Sequence, residues 1–289
     1  MHAKERAFVA ITHTAALFSL TAVFGIIYSI FREGIPLFDI VPLSEVLFGN
    51  DWYPTHAEAP QFGILNLFAG SLLVTLGALI IAIPLGLGSA IFISEIASPK
   101  LKEIAKPVLE LLAAIPSVVY GLFGMVVLAP FVRELFDLST GLNLFSSSII
   151  LGLMVLPIIS SMSEDALANV AKQLREASLA LGATSWETIT KVVIPAARRG
   201  IVGSILQGFG RAIGETMVVL MVAGGSAQIP KSIFESIRPL TSTIAAEMGE
   251  TVVGDLHYRS LFAIACLLFI ITLITNLSAE LIFFKRNKK

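Results

Sequence analysis

Residues 164–199 read EDALANVAKQLREASLALGATSWETITKVVIPAARR, and these 36 residues form a polar island in an oily chain. They hold nine charged side chains: Glu164, Asp165, Lys172, Arg175, Glu176, Glu187, Lys191, Arg198 and Arg199. Long apolar runs flank them on both sides. Local chemistry divides the island into two helices. Ser163 is a candidate N-cap for a first helix whose opening turn carries Glu164 and Asp165, which suits the helix dipole. That helix is expected to end near Leu181, because Gly182 is a natural C-terminal cap. Thr184 and Glu187 have the Thr-x-x-Glu spacing of a capping box, which opens a second helix. Pro195 is expected to end or bend that helix. A chain that places a polar helical hairpin at 163–199 between two apolar runs presents it to a soluble partner.

The rest of the composition sets the solvent in which the hairpin is built. Of 289 residues, 55% are hydrophobic and only 14% charged, against about 25% charged in an ordinary soluble domain. Mean hydropathy is +0.85. This is an all-α integral membrane protein. The net charge of -1 gives no reason to expect nucleic acid as a partner, and the single cysteine, Cys266, has no internal disulfide mate. No His/Cys cluster suggests a metal. Six runs are long enough to cross the ~30 Å hydrocarbon core: approximately 8–31, 64–96, 107–130, 145–162, 200–224 and 259–284. The first is too long for a secretory signal core of about 7–15 residues. It reads as a retained span after a short N-terminal segment at 1–7, so that 8–289 is a single transmembrane domain.

Orientation follows from lysine and arginine. With the N-terminus in the cytoplasm, the inner segments hold fourteen basic residues and the outer segments five; the twentieth, Arg211, lies inside a span. Both termini and the hairpin are therefore expected inside, and the KRNKK terminus is expected beside anionic lipid. The outer loop at 32–63 carries Trp52 and Tyr53, which suit an interfacial belt. Ser98-Pro99 opens a short inner helix, and Pro107 is taken as the start of the third span. That span contains Ile115-Pro116-Ser117 and Gly121-Leu122-Phe123-Gly124, a pattern suited to close helix packing or to a hinge.

Arg211 and Glu215 lie within the fifth run, in Gly210-Arg211-Ala212-Ile213-Gly214-Glu215-Thr216. Their four-residue spacing puts them on one helix face. The pair reads in two ways: as a self-neutralised ion pair that locks packing, or as a pathway site where Arg211 attracts an anion. No P-loop is present; Gly225 to Ser232 comes within one residue of the pattern but has Pro230 in place of the second glycine. Any ATP hydrolysis would belong to another chain.

Glu176-Ala177-Ser178-x3-Gly182, followed by nine residues and Val192-Val193-Ile194-Pro195, resembles the Glu-Ala-Ala loop of ABC importer permeases. Four further runs extend the likeness: SEIASPKLKEIAKPVLELLAAIPSVVYGLFG at 94–124, GRAIGETMVVLMVAGG at 210–225, IRPLTSTIAAEMGE at 237–250 and LHYRSLFAIACLLF at 256–269. With VPLSEVLFGNDWYP at 41–54, they resemble the C-type permease subunit of phosphate-specific ABC importers. Met217-Val218 follows GRAIGET where the A-type sister tends to have Ala-Pro. Asn66 and Gly225 depart from residues common in the family, Pro and Asn.

The resemblance implies a type I importer permease fold in the inner membrane of a prokaryote. It implies that the chain is a transporter subunit and not an enzyme. It also implies a heterodimer with an A-type permease, two ATP-binding subunits that carry the ATP and Mg²⁺, and an extracytoplasmic phosphate-binding protein. No cofactor is expected in this chain. Glu176, Ala177, Ser178, Gly182, Ile194 and Pro195 would couple to the ATPase, and Arg211 and Glu215 would line the phosphate path. Importers of sulfate or molybdate remain compatible with the loop pattern, and an ATP-independent transporter is the alternative from another class.

Overall fold

In a computed structural model, residues 3–56 and 58–284 are described, with side chains from residue 8 to residue 281. The basic tail at 285–289 and the first two residues of the N-terminal segment lie outside them. The chain opens with α1 (Ala3–Gly34), a 3-10 turn (Ile35–Asp39) and α2 (Leu43–Phe48). A two-stranded antiparallel ribbon follows, β1 (Trp52–Tyr53) and β2 (Gln61–Phe62), with Trp52 opposite Phe62. Then come α3 (Leu65–Ile91) with a π turn (Phe92–Ile96), α4 (Pro99–Ala113), α5 (Ser117–Phe123), a second π turn (Gly124–Leu128) and α6 (Ala129–Leu135). The second half contains α7 (Leu144–Ala168), α8 (Lys172–Ala180), α9 (Ser185–Thr188), a third π turn (Ile189–Val193) and α10 (Ile194–Ile213). It ends with α11 (Met217–Val222), α12 (Leu240–Glu247) and α13 (Leu256–Phe284).

Among the described residues, five helical stretches are long and apolar enough to cross a membrane: Phe8–Asp39, Leu65–Ile96, Ser117–Leu135, Leu144–Ala168 and Leu256–Leu281. The run expected as a fifth span, 200–224, is instead a helix broken between α10 and α11. Two bonds explain the break. Glu215 Oε1 accepts from the backbone N–H of Met217 at 3.1 Å and of Val218 at 3.3 Å, and so starts a new helix rather than continuing the old one.

The third span also differs from expectation. α4 runs through Pro107, and the break comes at Pro116. Pro107 removes the hydrogen bond to the Glu103 carbonyl, but both residues are exposed, so water can satisfy that oxygen. Pro116 bars its predecessor from helix, so α4 ends at Ala113 with Ala114 as its C-cap, and the span starts at Ser117. The expected cap at Ser98 is present, with its Oγ accepting from Leu101 N.

α3 and α7 form the heart of the bundle. Their backbones approach closely because glycines face the partner helix: a Cβ on Gly77 would sit 2.4 Å from Ser148 Oγ, and one on Gly152 would sit 3.0 Å from the Ala78 carbonyl. Small residues at such crossings replace the hydrophobic drive that lipid cannot supply. The central core gathers Val74, Ala78, Ile150, Leu151, Val155 and Ile159 with Val218 and Val219 of α11. A second core lies at the ribbon end of the bundle and includes Leu37, Trp52, Phe62, Leu67, Leu240 and Leu261. A small third core at the hairpin end contains only Ala90, Leu167, Val193, Ala197 and Ile201 at its centre. A Cβ on Gly121 would sit 2.8 Å from Met221 Sδ of α11, and one on Gly124 2.8 Å from Ile150 and Val222, so both glycines serve close packing.

Candidate functional site

The hairpin has the expected helix, turn and helix, with one change at its start. Ser163 does not cap it. α7 continues through Ser163 to Ala168, and Ser163 Oγ lies 2.6 Å from Ser204 Oγ of α10 in a buried contact. α8 begins at Lys172 and ends in a Schellman motif: Gly182 N donates to Leu179 O at 2.9 Å and Ala183 N to Ser178 O at 3.2 Å. Gly182 has φ +88°, where a side chain would be strained. Thr184 and Glu187 form the reciprocal capping box, at 3.2 Å and 3.0 Å. The Thr184 backbone N–H, Lys191 and the Thr184 hydroxyl together hold the Glu187 carboxyl down to about pKa 2.

Pro195 does not end the second helix. It occupies the first turn of α10, directly after the π turn at 189–193. The extra residue of a π turn accommodates the missing N–H and the ring. The result is one helical rod from Ser185 to Ile213 that carries Ile194, buried Val193 and, near its far end, Arg211. Ser178 and Thr188 link the two hairpin helices through their hydroxyls at 2.9 Å. Glu176 is exposed and lies 3.5 Å from Lys172; Ala177 is exposed beside it. The hairpin also bares apolar side chains: Leu181 is 90% exposed, Trp186 63%, and Leu174 and Leu179 are about half exposed. A cleft of about 690 Å³ separates α7 and α8 from the start of α10, lined by Asp165, Asn169, Leu174, Pro195, Arg198 and Arg199 among others.

Arg211 and Glu215 come together as their spacing requires, but unequally. Arg211 Nη1 is 3.6 Å from Glu215 Oε2; the arginine side chain is 49% exposed and the glutamate 3%. Glu215 is committed to the start of α11, and its own carbonyl accepts from Thr241 Oγ1 of α12 at 2.6 Å. Arg211 retains most of its donors. It shares an exposed strip of α10 with Gln207 and Gly214.

Two clusters had no local signal in the sequence. At the ribbon end, Glu247 accepts from Trp52 Nε1 at 3.0 Å and Arg238 Nη1 at 2.8 Å, and contacts His257 Nε2 at 2.9 Å. Trp52 is 4% exposed and so is not an interfacial residue; Tyr53 beside it is exposed. At the hairpin end, Lys102 and Lys106 of α4 each approach the buried Glu164 carboxylate at 2.9 Å, and Lys106 also meets Asp165. The Asp165 and Glu164 carboxylates raise the Lys106 pKa well above its ordinary value. Nearby, Arg175 of α8 pairs with Glu95 in the π turn after α3. Only a fold that brings Lys106 to Glu164, Arg175 to Glu95 and Trp52 to Glu247, pairs 58 to 195 positions apart, creates these sites.

The profile of the family described as "Binding-protein-dependent transport system inner membrane component" matches residues 82–288. The chain belongs to this family. It is a multi-pass inner-membrane component of an ABC transporter, a permease subunit and not itself an enzyme. The permease is 41% identical over 228 residues to the "Probable ABC transporter permease protein YqgH" of Bacillus subtilis, covering 79% of this chain and 74% of that protein. It is 36% identical over 284 residues to "Phosphate transport system permease protein PstC" of Mesorhizobium japonicum, covering 92% and 85%. Among solved structures, it resembles a bacterial ABC transporter for import of the acidic polysaccharide alginate, with TM-score 0.59 and 16% identity over 98% of this chain and 100% of that one. A MetNI methionine ABC transporter in an inward-facing conformation follows at TM-score 0.54 and 20% identity, covering 76% and 92%. At such identities these likenesses establish the type I importer permease fold alone.

Proposed function

We propose that this permease is the C-type membrane subunit of an ATP-driven phosphate importer, with the hairpin in the cytoplasm and Arg211 beside the phosphate path. The observation that carries the reading is the single helical rod from Ser185 to Ile213, which joins the exposed hairpin to Arg211. Relatives named as phosphate permeases over most of the chain supply the substrate. Leu174, Leu181 and Trp186 are the contact that one of two ATP-binding subunits would cover, the other sitting on an A-type permease. Such exposed apolar clusters mark interaction sites. A phosphate-binding protein would dock on the outer loops. ATP and Mg²⁺ would reside on the partner subunits.

In this mechanism the chain makes and breaks no covalent bond. Arg211 supplies a half-exposed positive charge with free donors in a fork that suits a tetrahedral oxyanion. Glu215, fixed by the α11 N–H groups, keeps that charge compensated between transport events. ATPase closure moves the hairpin, and the rod transmits that motion to Arg211 without a flexible joint.

The test is uptake of labelled phosphate by vesicles containing the complete complex, with unlabelled phosphate, sulfate or molybdate as competitors. Phosphate alone should compete, uptake should need ATP, and Arg211→Ala should lower uptake at least a hundredfold with the complex intact. Competition by sulfate or molybdate alone would overturn the substrate, and uptake that survives ATP depletion would overturn the coupling.

A further inference from the structure

We infer that Arg175 is the joint through which movement of the hairpin reaches the two spans, α3 and α7, that the rod does not continue into. This rests on the reading of the hairpin as the ATPase contact. Arg175 uses its guanidinium on three segments at once. Nε donates to Glu95 Oε2 at 3.2 Å and Nη2 to Glu95 Oε1 at 2.8 Å, a forked pairing with the π turn that ends α3. Nη2 also donates to the Leu167 carbonyl at 2.8 Å, and Nη1 to the Val170 carbonyl. These oxygens belong to the last turn of α7 and the residues just after it, where a helix leaves carbonyls without intrahelical donors.

The site is half closed to water, which makes the pairing matter. Glu95 is 9% exposed and Arg175 22%. Ser94 Oγ donates to Glu95 Oε1 at 2.9 Å and orients the carboxylate. A planar fork with several fixed donors can serve a carboxylate and two carbonyls together; a lysine ammonium, with three donors around a point, cannot match that geometry. The apolar packing beneath it is the smallest of the three cores. The covalent rod joins the hairpin to α10, and Arg175 joins α8 to α3 and α7. A push on the hairpin therefore loads three helices together. Without Arg175, it would reach α7 only through the three-residue link at 169–171 and α3 only through packing.

The experiment measures phosphate transported per ATP hydrolysed by the complete complex in vesicles, first for the wild type and then for Arg175→Ala, Arg175→Lys, Glu95→Gln and the double Arg175→Ala/Glu95→Ala. The Arg175→Ala complex should retain its ATPase subunits and hydrolyse ATP, while transport per ATP falls at least tenfold. Arg175→Lys and Glu95→Gln should fall by smaller factors, and the double variant should be no worse than Arg175→Ala. An unchanged ratio in Arg175→Ala overturns the joint, and so does a lower yield of complex at an unchanged ratio, which would mean a holding role only. Should Arg175→Ala fail to assemble, the ratio in Glu95→Gln decides in the same way. A wild type that hydrolyses ATP but moves no phosphate overturns the parent reading instead.

Discussion

The two ends of the bundle are held together by different means. At the ribbon end, the Glu247 carboxylate is surrounded by donors from Trp52, Arg238 and His257, above a broad apolar core with Leu37, Leu67, Leu240 and Leu261 at full burial. At the hairpin end, ion pairs span the gaps between helices: Arg175 with Glu95, and Lys102 and Lys106 with Glu164. The core beneath them is small. The Glu247 carboxylate, held by three donors over that broad apolar core, has one arrangement. The hairpin-end ion pairs have little apolar packing to hold them, and Lys102 and Lys106, each about a third exposed, can exchange a carboxylate for water and re-form. Under the proposed function, the ribbon end is the candidate fixed frame and the hairpin end the candidate moving part.

The largest effect expected from breaking this contrast is at the ribbon end. Glu247→Ala leaves the buried Trp52 and His257 nitrogens unpaired and the part-exposed Arg238 without its partner, which should cost about 3 kcal/mol. A large drop in thermal unfolding temperature of the detergent-solubilised complex should report it. Glu95→Ala at the other end should shift that temperature much less. Equal losses from the two variants would erase the distinction. Trp52→Phe keeps an aromatic ring but removes the donor and part of the buried volume, at about 1–3 kcal/mol, measurable in the same assay. Thr184→Ala removes half of the capping box and should cost about 1 kcal/mol. It is best read as faster hydrogen exchange across 184–188, with the ribbon end unchanged.

The smallest effect expected is that of pH. Glu187, depressed to about pKa 2, contributes its full capping stability above its ordinary value of 4.5 and loses it as pH falls through about 2. Lys106 is shifted the other way. Its contribution is complete below its ordinary value of 10.5 and is lost only as pH rises beyond that into the strongly alkaline range. Hydrogen exchange in the hairpin should therefore show no stability change from these two groups between pH 5 and 8. A step within that window would assign the hairpin's stability to other residues.

What could be read from the sequence was what is local. Gly182 and the Thr184–Glu187 pair act on backbone within a few residues, and the structure has both devices. Ser163 misled because a serine near two acidic residues reads as a cap, whereas its hydroxyl is taken by Ser204, 41 positions away. Pro107 misled because proline breaks a helix only where its orphaned carbonyl lacks another partner. Lys106 and Glu110 on either side of it are charges that favour an exposed helix over a span. The proximity of Arg211 and Glu215 followed from a four-residue spacing. The commitment of Glu215 to α11 did not, because nothing within one turn announced that the helix would restart at Met217. Nothing singled out Arg175 among the nine charges of the polar stretch, and Trp52 read as an interfacial ring, because Glu95 and Glu247 are remote in the chain.

One further consequence comes from α1. Its apolar window from Phe8 onward is wholly exposed. Its close contacts are with α13: Phe31 meets Phe269 edge to face at 5.9 Å, and Gly34 lies against the Phe262 backbone. Synthesis of α1 therefore precedes synthesis of its main neighbour, α13. Between the two events some 220 residues must emerge, and a loop of that size closes late. The α1–α13 clasp thus closes only after α13 has emerged, and a chain cut before α13 would leave α1 in lipid without that neighbour.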